Sequence, residues 1–330
     1  MKNPQPALSI CIPTFNRLHY LKESLDILLP EAQRLDVEVS VSDNHSIDGT
    51  VSYLAEMSER FSCLRFCVQR ENVGLDKNMN SVISMGTGSY IFPLGDDDVL
   101  PKGAVEQIIK QLDEGSDVIV LNGWHTNNLL SPIRQHLPND MHGHVFCSPP
   151  DAFSAVWDKM PFGSFLATRE CFLPSHFERF IGTSHAYTGA VWDALAEKYL
   201  KTGACKVKCM ATPTVLLRGG EKSWRNDAAK IMLYEIPLWF QLIMVIDVYK
   251  SVVAPILNKY IQSQSSLVQL LSYRALGQLD KKMLDNCARV YSARQIELMR
   301  KIIALPVKPL EWSLVGYFGV KRFIKRFVRR

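Results

Sequence analysis

Gly88-Ser89-Tyr90-Ile91-Phe92-Pro93-Leu94-Gly95-Asp96-Asp97-Asp98-Val99-Leu100-Pro101 is the stretch whose reading decides the fold. Its apolar run, Tyr90 to Leu94, reads as a buried strand that stops at Gly95 in three consecutive carboxylates, and Pro101 marks the start of the next helix. Adjacent carboxylates at the mouth of a strand repel one another, and a bound cation is the simplest relief. Ligands that are all oxygen favour Mg²⁺ or Mn²⁺. Taken singly, each Asp has a plainer alternative, because an acidic residue also suits the first turn of a helix. Three together point to a metal or nucleotide site.

Outward from this stretch the chain alternates strands and helices. Leu8–Pro13 is an apolar strand, followed by Thr14-Phe15-Asn16-Arg17 and an amphipathic helix with Leu18, Leu21, Leu25, Leu28 and Leu29 on one face, closing near Pro30. Val37–Ser42 is a second strand ending at Asp43, and Asn44 to Thr50 is turn chemistry before a helix from about Val51. Leu64–Val68 reads as strand, Asp76–Met85 as helix, Lys102–Asp113 as helix and Asp117–Leu121 as a fifth strand. Continuously apolar strands alternating with helices describe an α/β fold with a mostly parallel, Rossmann-like sheet covered on both faces.

Ligands of such sheets bind outside the carboxyl ends of the strands. That rule gathers Thr14, Asn16, Arg17, Asp43, Arg70, Asn72 and Asp96 to Asp98 around one crevice. A basic group, a lone carboxylate and an acidic cluster suit a nucleoside diphosphate with its cation, Asp43 taking a base or ribose hydroxyl. Singly, Asn16 reads equally as a helix cap and Asp43 to Asp48 as an Asx-rich turn. The glycine-rich dinucleotide fingerprint and the Walker-type Gly-Lys-Ser/Thr are both missing, which argues against oxidoreductases and P-loop ATPases.

Composition fits an ordinary globular chain: 330 residues, 47% hydrophobic and 22% charged. The net charge of +5 is concentrated in Lys321, Arg322, Lys325, Arg326, Arg329 and Arg330, without which the chain carries about −1. Eight cysteines show no two-apart pairing, so free thiols are expected. The N-terminus enters a strand without the apolar core of a signal peptide, so the chain is expected to stay in the cytoplasm. Ile231–Tyr249, interrupted by Glu235, Pro237, Gln241 and Asp247, reads as a buried helix rather than a membrane span.

Several motifs together resemble the family 2 glycosyltransferases of the GT-A fold. Ser9-Ile10-Cys11-Ile12-Pro13-Thr14-Phe15-Asn16-Arg17 is similar to that family's first strand and turn, and Val41 to Thr50 to its "DDGSTDGT" segment. Asn72-Val73-Gly74-Leu75-Asp76-Lys77-Asn78 and Gly88 to Asp98 resemble most the abequosyltransferase-like members of O-antigen assembly. The likeness covers about residues 7 to 225. It implies inverting transfer from a nucleotide diphosphate sugar to a saccharide acceptor, with Pro13, Thr14, Asn16, Arg17, Asp43, Asn72, Lys77 and Asp96 on the donor and Asp97 and Asp98 on Mn²⁺ or Mg²⁺. Against the family's "DxDD", the first Asp is replaced by Gly95, so the three aspartates share ribose and metal contact. Leu217 to Arg225 resembles a flexible segment folding over the diphosphate, with Arg218 and Lys222 as anion clamps; a basic surface loop is the alternative.

The family's base is an Asp of a Glu-Asp pair at the start of a helix in the acceptor half. Here that pair is absent, and Asp193 is the leading carboxylate near register, with His185 as runner-up. The organisation expected is 1–225 as the GT-A domain, with 1–122 the nucleotide-sugar half and 123–225 the acceptor half, then 226–330 as a helical region. From about Asn122 to Pro150 periodicity is lost, which reads as a loop. Trp312 to Arg330 interleaves aromatics with cations, the composition of a helix lying on an anionic membrane surface at the inner face of the cell membrane, where a lipid-linked acceptor would be met. No nucleic-acid partner is expected. The other classes open are a non-catalytic sugar-nucleotide or polysaccharide-binding protein and a nucleotidyltransferase.

Overall fold

The computed structural model describes residues 5–112, 115–219 and 223–308. The described residues form two units: 5–219 with Val245–Val252, and 223–244 with 253–308. The return of Val245–Val252 to the first unit has no signal in the sequence pattern. Tyr249, fully buried, donates from its hydroxyl to the Trp192 carbonyl at 2.8 Å and joins Phe153 and Trp192 in an aromatic cluster.

The first unit is built on one mixed sheet. Strands β1 (Leu8–Thr14), β2 (Glu38–Asp43), β3 (Leu64–Val68) and β4 (Tyr90–Pro93) run parallel in the order β3-β2-β1-β4. Helices α1 (Leu18–Arg34), α2 (Thr50–Arg60) and α3 (Leu75–Met85) connect them. Beyond β4 the order continues through β8 (Phe165–Thr168), β5 (Val118–Thr126), β9 (Val207–Leu217) and β7 (Val145–Phe146), with β6 (Pro132–Gln135) paired to β5. β8 is antiparallel to both β4 and β5, whereas β9 is parallel to β5. Leu8, Ile10, Ile12, Val39, Val41 and Phe92 lie in one buried core with Leu21, Leu25, Leu28 and Leu29 of α1. This is the α/β, Rossmann-like architecture that the apolar runs imply.

Several local expectations need correction. α1 does not close at Pro30 but continues to Arg34. Pro30 is exposed, so the amide it lacks is missing on the solvent side. The buried Ala32 and Glu31 keep the last turns packed, and Glu31 accepts the backbone N–H of Gly103 at 2.9 Å. The helix expected over Lys102–Asp113 is the short α4 (Ala104–Ile109). Residues 122–150 are not a plain loop: β5 runs to Thr126 and returns in β6. The strand survives its polar composition because the buried Asn122 amide supplies bonds that a ladder would, donating to the Ala211 carbonyl and accepting from Leu137 N–H at 3.0 Å.

The second unit is helical, with Ile236–Met244, Leu267–Ala275, Lys281–Cys287 and Ala293–Ile303 among its elements. Its core contains Leu233, Leu270, Tyr273, Met283 and Met299. The buried helix expected over Ile231–Tyr249 begins as a π-helical turn and ends at Met244. Among the described residues, no single helix is long and apolar enough to cross a membrane. All eight cysteines are free thiols; five are buried, while Cys63 and Cys67 are half-buried and Cys147 is exposed. Lys222 and the Trp312–Arg330 segment lie outside the described residues.

Candidate active site

The carboxyl ends of β1, β2 and β4 lie side by side. Thr14 is in register with Asp43 across β1 and β2, and Cys11 with Pro93 across β1 and β4. The β1–α1 and β2–α2 turns are tied together by their side chains. Asn16, in the left-handed region at φ 51, donates its backbone N–H to Ser46 Oγ at 2.7 Å and accepts Ile47 N–H on Oδ1 at 2.8 Å. Asn16 therefore does not cap α1. Asp48 takes that role, accepting Leu18 N–H at 2.9 Å and the Thr50 hydroxyl at 2.6 Å, so one carboxylate starts both α1 and α2.

Asp43 is fully buried at the base of these turns. Its Oδ2 accepts Ser46 N–H at 2.9 Å, and its Oδ1 has no hydrogen-bond partner among the described residues. Asn72 accepts from the Asn44 amide at 2.9 Å and from Gly74 N–H at 3.0 Å, which closes the rim after β3. Pro13 is buried within β1, whereas Arg70 and Lys77 are exposed.

The acidic motif is the opposite wall. The Thr14 hydroxyl donates to Asp96 Oδ2 at 2.9 Å, and Arg17 spans Asp96 at 3.4 Å and Asp97 at 2.7 Å. Burial raises the Asp96 carboxyl to about 7, against the pull of Arg17 and with a further push from Asp97. Burial opposes the Arg17 charge, but the two aspartates outweigh it and hold its guanidinium above the ordinary value. Asp98 Oδ1 accepts the backbone N–H of Arg218 at 2.9 Å, and Val99 bridges Leu216. A Cβ placed on Gly95 would meet Asp98 Oδ2 at 2.8 Å and Asp97 Oδ1 at 3.2 Å, so those two oxygens lie within about 6 Å of each other.

Arg218 differs from its expected part in a mobile anion clamp. It is buried, donating to Glu23 at 2.6 Å, to the Asn128 carbonyl at 2.6 Å and to the Asp97 carbonyl at 2.8 Å. The reason is that β9 runs to Leu217, which leaves Arg218 one residue from a strand end. Arg17 and Arg218 both stack on the Tyr20 ring, at 4.7 and 5.0 Å from its centroid. Tyr20 and Glu23 thus belong to the wall of the site. Sequence reasoning missed both, since on α1 they read as ordinary positions of an amphipathic helix.

The two proton-acceptor candidates are well separated. Asp193 is held by His176 at 2.8 Å and Arg179 at 2.7 Å, midway along α7 (Ala186–Thr202). His185 is the residue immediately before that helix, so Asp193 lies about 12 Å further along the axis at 1.5 Å per residue. The Asp193 carboxylate is occupied by two partners that no local pattern announces, and one of them, His176, lines a hollow with Ala7 and Ser89, at the amino ends of β1 and β4 rather than at the carboxyl ends where the acidic motif lies. His185 is half-buried, and its Nδ1 faces the Thr183 carbonyl at 3.2 Å. Tyr187 stacks on Phe162 with centroids 4.2 Å apart, and its hydroxyl is pushed upward by burial and by the charges of Asp76 and Asp98. The start of α7 therefore belongs to the same neighbourhood as the acidic motif.

Among the described residues, no group of three His, Cys, Asp or Glu side chains converges as a ready-made metal cage. Asp97 and Asp98 nevertheless fit a hard cation, because Mg²⁺ uses one or two carboxylates together with substrate phosphates.

An Asp motif paired with two arginines at the carboxyl ends of parallel strands, on a mixed sheet, is the arrangement of a glycosyltransferase of GT-A type. The chain belongs to glycosyl transferase family 2, whose model matches residues 9–172. It is 26% identical to the abequosyltransferase RfbV of Salmonella typhimurium, over 68% of this chain and 71% of that protein. It is 29% identical to the GalNAc(5)-diNAcBac-PP-undecaprenol β-1,3-glucosyltransferase of Campylobacter jejuni, over 33% of this chain and 36% of that one. Its fold is similar to S. aureus TarS 1–349 solved with UDP-GlcNAc, with a TM-score of 0.59 and 14% identity over 94% of this chain and 91% of that chain.

Proposed function

We propose that the chain transfers a sugar from a nucleoside diphosphate sugar to a hydroxyl of a saccharide acceptor, with inversion, during assembly of a lipid-linked cell-surface polysaccharide. The observation that carries this reading is Asp43, a fully buried carboxylate whose Oδ1 has no donor among the described residues. A buried acceptor without a partner is costly, and a nucleobase N–H or a ribose hydroxyl supplies the missing donor. Asp96, beside Thr14, lines the same pocket for the ribose. Asn16, Asn72 and Lys77 border it, and Lys222 and Arg218 belong to the segment after β9.

Asp97 and Asp98 are the residues that would hold Mn²⁺ or Mg²⁺. When bound, such a cation stabilises the charge that builds on the departing diphosphate. Arg17 orients Asp96 and Asp97 and offsets their mutual repulsion.

On the acceptor side, His185 takes the proton of the attacking hydroxyl. A carbonyl can only accept, so the contact with Thr183 puts the imidazole proton on Nδ1 and leaves Nε2 as the basic nitrogen. The stacked Phe162 and Tyr187 form an apolar wall beside it, which suits the carbon face of a sugar. The two curated relatives, named for abequosyl transfer and for a glucosyl transfer involving undecaprenol, support a sugar donor and a lipid-linked acceptor. The basic aromatic segment 312–330 suits attachment to the anionic inner face of the membrane.

The test is titration with UDP, CDP, dTDP and GDP in the presence of Mg²⁺. One nucleotide binds, and Asp43→Ala weakens it by about 10-fold or more, the scale of a lost hydrogen bond to a charged group. Equal affinity in the variant would remove the reading of Asp43.

A further inference from the structure

We infer that Asp76 is a positioning residue for the transfer: its buried carboxylate gathers the backbone of the turn before α7 and thereby sets the place and tautomer of His185. This rests on the reading of His185 as proton acceptor. Asp76 stands in the first turn of α3, in the nucleotide half, and the turn it binds is more than a hundred residues away in the acceptor half. Its Oδ2 accepts the N–H groups of Gly182 at 2.8 Å, Thr183 at 3.0 Å and Ser184 at 2.9 Å, and its Oδ1 accepts Ala186 N–H at 3.2 Å.

Two features show that this turn is held in place rather than merely capped. Ser184, immediately before His185, has φ 57, a left-handed conformation that a non-glycine residue adopts only when its surroundings hold it there. The same Thr183 whose N–H donates to Asp76 presents its carbonyl to His185 Nδ1 and its hydroxyl to His185 N–H at 3.3 Å. The path from Asp76 to the imidazole is thus one residue long. A shift of the turn would turn the ring and release its Nδ1 proton from the carbonyl.

Asp76 also acts on His185 through charge. It makes no ion pair with Lys or Arg among the described residues, its carboxyl is raised by burial against the N–H bonds of Ala186, Gly182 and Ser184, and the charge of His185 acts to lower it. Among the described residues, the other titratable or charged groups on these elements include Lys77 on α3, Glu178 and Arg179 on the preceding 3₁₀ turn, and Tyr187, on which the charge of Asp98 also acts. Arg179 is engaged with Asp193. A carboxylate beside the imidazole favours its protonated form, so neutralising Asp76 moves the His185 titration to lower pH.

The experiment follows the His185 imidazole of the full chain by ¹⁵N NMR as pH is varied, in wild type, Asp76→Asn and Asp76→Glu, with circular dichroism to confirm folding. Turnover is measured in parallel as nucleoside diphosphate release from whichever of UDP-glucose, CDP-glucose, dTDP-glucose and GDP-mannose the wild type consumes. Asp76→Asn is expected to lower the titration midpoint, weaken the Nδ1–H tautomer and reduce kcat by on the order of 10²-fold at unchanged donor KM. Asp76→Glu keeps the charge and so the midpoint, but its longer arm displaces the turn and lowers kcat. It carries the test if Asp76→Asn does not fold. Wild-type kcat and His185 titration in Asp76→Asn, or wild-type kcat in Asp76→Glu, would overturn the inference. Normal turnover of His185→Gln would instead overturn the underlying assignment of the base.

Discussion

The backbone N–H of Arg218 donates to Asp98 Oδ1 at 2.9 Å, so the last residue of the acidic motif is bonded to the chain that leaves β9. Asp97 has no such tie to a strand; its carboxylate is held only by Arg17 among the described residues. The two aspartates should therefore separate in mutagenesis. Asp98→Ala loses divalent-cation-dependent nucleotide binding and about 1–3 kcal/mol of stability, because a buried N–H loses its acceptor. Asp97→Ala loses the cation-dependent binding with a stability change within about 1 kcal/mol. Calorimetric titration with and without a chelator, beside urea denaturation, checks both; cation-dependent binding that survives in both variants would exclude them as ligands.

Gly163 is packed against the same aspartate. Its φ is 77, and a Cβ there would approach Asp98 Oδ2 to 2.7 Å and Leu217 Cδ2 to 3.1 Å. Gly163→Ala is expected to cost about 1–3 kcal/mol through backbone strain and to displace Asp98. Donor turnover should fall at least 10-fold, as expected for a displaced catalytic constellation. A variant with wild-type melting temperature and rate would show that the close approach is dispensable.

The buried Asp96 makes stability depend on pH. Its folded carboxyl is raised to about 7, chiefly by burial, while an unfolded Asp titrates near 3.9. Between those values the folded chain binds more protons than the unfolded one, so this group's contribution is present at pH 4 and lost as pH rises to 7. Asp96→Asn removes that dependence. In chelator, the stability of wild type relative to Asp96→Asn should decline from pH 4 to 7 and then level; parallel curves across that range would contradict the placement of Asp96.

How much of this was legible in the sequence varies by element. β1 to β4 were readable because each is a short run rich in apolar and β-branched residues closed by turn residues, and the polar residues at their ends follow from the rule for parallel sheets. The extension of β5 was not, since Asn122 and Thr126 look like loop residues until the Asn122 amide is seen bonding Ala211 and Leu137. Asp193 lies at the edge of the apolar face of α7, a position that suits a cleft as well as solvent. Only the long-range partners His176 and Arg179 decide its neighbourhood. Asp76 looks like a routine acidic residue in a first helical turn, and its four donors come from a segment that no local pattern connects to it.

The segment Trp312–Arg330, outside the described residues, carries the membrane expectation. Its six cations would each add about 1 kcal/mol of attraction near an anionic surface, so binding should weaken with salt. A truncation ending at Leu310 is expected to lose co-sedimentation with vesicles rich in anionic lipid while keeping nucleotide binding. Equal co-sedimentation of the truncated and full chains would contradict attachment through this segment.

The most direct measurement incubates the full chain with Mn²⁺ or Mg²⁺ and each of UDP-glucose, CDP-glucose, dTDP-glucose and GDP-mannose, and follows nucleoside diphosphate release. Even without the natural acceptor, slow transfer to water is expected from the donor whose base fits Asp43, abolished by chelation and by Asp97→Ala, and reduced by about 10² to 10⁴ in His185→Gln. Binding of a nucleotide without release from any donor would contradict the central claim of sugar transfer and leave a nucleotide-binding protein in its place.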